Sequence, residues 1–142
     1  MSRIESTLLV QKSAVETFTF LNKPESHRRF IPRCKEFKQT SAGAFGQVGA
    51  TVKGLLIYFG IRIPVDYEII EHQLNQRLAM IGTMGPVRFK DGYILTSSAE
   101  GTLITFWLEL TMTGFTKIFQ PFAGLIGKVH AWETLRNLKR EI

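Results

Sequence analysis

The sequence predicts an α+β domain made of one strand, two short helices, about six antiparallel strands and a long closing helix. Three observations predict it. A capping-box signature and a helix-opening proline stand close together near the start of the chain. The middle of the chain alternates apolar and polar residues with a period of two, broken by glycine-bearing turns. The last part returns to a spacing of three and four. Consecutive strands joined by short turns form a meander, and a curved sheet of that kind wraps the final helix.

The elements follow in order. Ile4, Leu8, Leu9 and Val10 stand among Ser and Thr over residues 3–11, a first strand. Ser13 is an N-cap with Glu16 three residues on, and Val15, Phe18 and Leu21 give the first short helix its apolar side. Asn22 and Lys23 end it, Pro24 opens the second, and Pro32 stops that one near Ile31. Strands at 34–41 and 47–59 flank a turn region marked by Gly43, Gly46 and Gly49. Val48, Ala50, Val52, Leu56 and Tyr58 share one face of the later strand. Ile61, Ile63, Val65, Tyr67 and Ile69 alternate with Arg62, Asp66 and Glu68 in the next. Further strands fit 76–83, 87–96 and 102–112, with turns at Gly85-Pro86 and Ala99-Glu100-Gly101. Ile104, Phe106, Leu108, Leu110 and Met112 form one face of the last strand. Ile118, Phe122, Leu125, Val129 and Trp132 mark the final helix as its apolar stripe, with Pro121 at its start or in a kinked first turn. The stripe does not persist. Leu135, Leu138 and Ile142 point the other way, so the helix curves or its end meets another surface.

Composition bounds the function. The chain has 142 residues, 44% hydrophobic and 21% charged, the profile of one globular domain over residues 1–142. Disorder, collagen and coiled coil are excluded on those figures. A net charge of +6 raises the expectation of an anionic partner. A single cysteine, Cys34, excludes an intrachain disulfide framework. Glu5 interrupts any signal-peptide core, and the longest apolar run, Leu55 to Ile63, falls far short of the ~20 residues that span a bilayer. The expectation is a soluble cytoplasmic protein.

Phe30-Ile31-Pro32-Arg33-Cys34 after two short helices, Glu100-Gly101-Thr102 before the last strand, and the Leu135 to Lys139 end of the final helix carry a family resemblance. With the element order, they make nearly the whole chain resemble the START-like (Bet v 1-like, SRPBCC) superfamily, its polyketide cyclase/dehydrase and lipid-transport group. The first motif is similar to the coenzyme Q-binding and ribosome-association-toxin branch. The resemblance implies the helix-grip fold: a curved antiparallel sheet with two short helices, a long C-terminal helix, and an apolar cavity between sheet and helix.

The candidate ligand-binding residues are those assigned inward: Tyr58, Tyr67, Phe89, Tyr93, Phe106, Leu110, Phe122, Ile126 and Val129, with His130 beside them. The alternative is that these side chains fill the interior themselves. Arg62, Asp66 and Glu68 share a strand face and are the acid–base candidates, against a solvated outer face. His130 is a base or a half-buried, hydrogen-bonded core histidine. His27, His72 and His130 are isolated and Cys34 has no cysteine neighbour, so neither metal nor cofactor is expected. The glycine run lacks the Lys-Ser/Thr of a phosphate loop. Lys23, His27, Arg28, Arg29, Arg33, Lys35 and Lys38 form one basic concentration, and Lys128, Arg136, Lys139 and Arg140 another. They are a solvated face, or a contact for anionic membrane or ribosome. Leu135, Leu138 and Ile142 are candidates for a homodimer surface. The leading expectation is binding of a hydrophobic small molecule. A cyclase/aromatase-like enzyme and a ribosome- or membrane-associating protein are the alternatives.

Overall fold

A computed structural model describes residues 3–142. Seven antiparallel strands form one sheet: β1 (Arg3–Val10), β2 (Cys34–Gln39), β3 (Thr51–Tyr58), β4 (Ile61–Gln73), β5 (Arg77–Met84), β6 (Val87–Ser98) and β7 (Gly101–Met112). Their order across the sheet is β1-β7-β6-β5-β4-β3-β2, a meander closed at one edge by the N-terminal strand. Helices α1 (Ala14–Leu21) and α2 (Pro24–Phe30) connect the two edge strands. Helix α3 (Ala123–Glu141) packs on β1 and β7 and touches α2.

The local signals act as read. Ser13 Oγ accepts from the Glu16 amide at 3.1 Å, and the Glu16 carboxylate accepts from the Ser13 amide at 3.3 Å. Pro24 stands in the first turn of α2. Two strand ends differ from expectation. β4 runs on to Gln73 because a bulge between Ile69 and Glu71 breaks the alternation without ending the pairing. β3 starts only at Thr51, and Val48 is exposed, because residues 40–50 form an irregular loop with Gly49 at φ +94°.

The final helix corrects the sequence reading. Ile118, Phe122, Leu125, Val129 and Trp132, the expected core stripe, are all exposed. The buried face is Ala123, Gly127, Ala131, Leu135 and Leu138, with Thr134 and Asn137. Close packing explains the exchange. At Gly127 a Cβ would stand 2.2 Å from the tip of the buried Ile4 side chain, so a larger residue there requires Ile4 to move. Leu135 and Leu138 are core residues and Ile142 packs against the core, which removes them as a dimer surface. Pro121 does not open α3. It lies in a 3-10 stretch, Gly114–Phe122, held by Gln120 Oε1 accepting from the Met112 amide at 2.9 Å. No helix among the described residues is long and apolar enough to cross a membrane.

Candidate functional site

Between the inner face of the sheet and the first half of α3 lies a cavity of about 420 Å³. That falls inside the ~300–1,000 Å³ typical of small-molecule sites. The side chains therefore do not fill the interior. Its wall includes Tyr58, Tyr67, Phe89, Tyr93, Phe106, Leu110, Ile126, Val129 and His130, nine of the ten candidates. Tyr67, Tyr93 and Phe106 form the buried part, and Ile126 and Val129 stand at the exposed edge. Phe122, the tenth, is exposed and outside the wall: it closes the 3-10 stretch, one residue before α3 begins.

Strand alternation aims these rings inward, and glycines give them room. The Phe89 ring lies against Gly82, where a Cβ would come within 2.2 Å of it. The Tyr67 ring lies over Gly54, where a Cβ would come within 2.9 Å. Tyr67 meets Phe89 edge-on with centroids 5.6 Å apart, and Tyr93 meets Phe106 at 5.2 Å.

The sequence reading missed Asp91. It lines the cavity with 8% of its surface exposed, and its Oδ1 is buried without a hydrogen-bond partner. Burial pushes its carboxyl up to about 7. Burial, and then the field of Asp91, also raise the phenols of Tyr67 and Tyr93, so both remain O–H groups. The signal was present: Phe89 and Tyr93 face inward, so the residue midway between them does too. His130 is held down to about 4 by burial and stands in the wall as a neutral imidazole.

At the edge of the cavity, Arg33 Nη1 pairs with Glu133 Oε1 at 3.1 Å and its guanidinium lies 5.0 Å from the Tyr58 ring centre. This pair joins residues far apart in sequence and has no sequence signature. The acid–base candidates Arg62, Asp66 and Glu68 are exposed and outside the cavity wall. Of the acid–base candidates only His130 faces the cavity, where Asp91 joins it. The basic concentration also loses a member. His27 is fully buried, its Nε2–H donates to the Leu21 carbonyl at 2.6 Å, and it stacks on Phe37 at 5.1 Å. Cys34 is half-buried and its thiol is pushed up to about 11 by burial.

No protein-family model matches the chain, and no curated protein matches it. Solved structures do. The Zhui aromatase/cyclase from a Streptomyces species superimposes with a TM-score of 0.80 at 12% identity, over 99% of this chain and 92% of that one. Ara h 8.0201 gives 0.74 at 12%, over 98% and 95%. The shared architecture is the helix-grip fold. The di-domain aromatase/cyclase StfQ of the steffimycin pathway gives 0.74 at 10%, with the chain spanning half of its length. At such identities the helix-grip likeness establishes the fold alone.

Proposed function

We propose that this chain binds a hydrophobic small molecule, of the size of a lipid, isoprenoid or polycyclic aromatic fragment, in the cavity under α3. The observation that carries the reading is the cavity itself, about 420 Å³ walled by aromatic and aliphatic side chains. Binding is driven by removing apolar ligand surface from water at about 25 cal/mol per Å², less the cost of association. Native mass spectrometry of the purified protein tests it. A small apolar species should accompany the wild type and be reduced in Leu110→Trp, whose larger ring narrows the chamber. A wild type that carries no such species, or a variant that retains it undiminished, refutes the reading.

A second reading is favoured by the edge of the cavity: that edge docks on an anionic lipid bilayer. Phe59, at the tip of the β3–β4 hairpin, is 101% exposed and held at φ +51°, where glycine or asparagine is the usual residue. Phe115, Ile118, Leu125, Val129 and Trp132 are exposed on the 3-10 stretch and α3. Both segments lack acidic residues: none occurs in 37–65 or 110–132, which carry Lys38, Lys53, Arg62, Lys117 and Lys128. Apolar tips with cations behind them suit a negatively charged membrane surface. Phe59→Gly should weaken pelleting with phosphatidylcholine/phosphatidylglycerol vesicles several-fold. It should also stabilise the fold by about 0.5–1 kcal/mol by relieving the left-handed backbone. Pelleting that ignores both the variant and added salt, or that occurs with ribosomes instead, overturns this reading.

A further inference from the structure

We infer that Asp91 receives the hydroxyl of a neutral alcohol or phenol carried by the cavity's ligand, an inference that rests on the cavity being a binding site. Asp91 lies on β6 between Phe89 and Tyr93, with Met80 of β5 and Leu108 of β7 opposite it. Those four neighbours are apolar or aromatic, and its Oδ1 is buried without a hydrogen-bond partner. A buried polar atom left unpaired is a standing cost to the fold, and nothing in the packing of β5, β6 or β7 requires a carboxyl there. The Tyr67 and Tyr93 phenols feel its field and remain donors.

Inside the edge, where Glu133 and Tyr58 are engaged by Arg33, the chamber thus offers one unpaired carboxyl acceptor with two phenol donors nearby and the neutral imidazole of His130 in the wall. A hydroxyl matches this set, because it donates one proton and accepts with its own oxygen. An ammonium has three donors to satisfy and a charge to desolvate, with Asp91 the only buried acid among the described residues. A carboxylate would place a second negative charge in the chamber with Asp91. Arg33, the cation at the edge, is already paired with Glu133. The site therefore selects for a neutral donor and against an acid.

Four naphthalene probes of nearly equal size test this: 2-naphthol, its methyl ether, 2-naphthoate and 2-naphthylmethylamine, titrated calorimetrically at pH 8. In the wild type, 2-naphthol should bind about ten-fold tighter than the ether, the effect of one hydrogen bond to a charged acceptor. The naphthoate should bind weakest. Asp91→Leu should erase the preference for naphthol over ether while the ether still binds. Asp91→Asn, which keeps the side-chain shape, should shrink that preference and relieve the penalty on naphthoate. Equal affinity of naphthol and ether in the wild type overturns the role of Asp91 and leaves the cavity reading standing. Tighter binding of the amine or the acid than of naphthol also overturns it. Failure of all four probes overturns both.

Discussion

On one side of α3, Ala123, Gly127, Ala131 and Leu138 lie against the rest of the molecule. On the other, Leu125, Val129 and Trp132 stand in solvent. Burial by hydrophobicity alone would reverse this arrangement. Packing against the side chains of β1 and β7 decides it instead, since at Gly127 a Cβ would meet the tip of the buried Ile4 side chain at 2.2 Å and Leu108 Cδ2 at 3.6 Å. Small residues mark much of the face of the helix that lies on the sheet. Two of the large side chains kept out of the core, Leu125 and Val129, line the cavity instead.

The contrast breaks most severely at Gly127. Gly127→Leu forces Ile4 or the helix to shift and should cost about 1–3 kcal/mol, visible as a drop in melting temperature. Acid sharpens it next, because the buried histidines and Asp91 respond to it in opposite directions. Burial lowers His27 from 6.5 to about 4. Its contribution is therefore present above pH 6.5 and is lost as pH falls toward 4, at most about 3 kcal/mol. Asp91 runs the other way, because its pKa is raised from 3.8 to about 7: its contribution is present below pH 3.8 and is lost as pH rises through 7. The two oppose each other between pH 4 and 6.5, so Asp91→Leu should steepen the acid loss measured by urea unfolding. At pH 8 the same variant should be more stable than the wild type by about 1–3 kcal/mol, as an unpaired buried carboxyl disappears. Smallest is the outer face: Trp132→Ser should shift stability by no more than about 0.5 kcal/mol. A larger loss there would mean that the exposed face supports the fold after all.

Much of this was legible in the sequence. Alternation marked the middle strands, and Ser13 with Glu16 marked the first helix, because those signals are local. Nine wall residues followed once the inner faces were assigned. Asp91 was equally legible from the same alternation and was passed over because a charged residue reads as surface. His27 fails for the same reason, sitting in a basic run yet wholly buried among Phe30, Phe37 and Phe45. The helix stripe misled for a different cause. Periodicity counts apolar residues, and two apolar faces share α3, so only the packing against β1 and β7 tells which one is inside. The Arg33–Glu133 pair was illegible because its members are 100 residues apart.

The order of strands also fixes the order of assembly. β1 pairs only with β7, with Arg3 opposite Glu109 and Val10 opposite Thr102. Within this domain β1 has no sheet neighbour until β7 has been made. Closure of the sheet, and the docking of α3 across that seam, must wait for β7. Such long-range pairing makes for slow folding, so the β1 edge stays unpaired while the strands between them are formed.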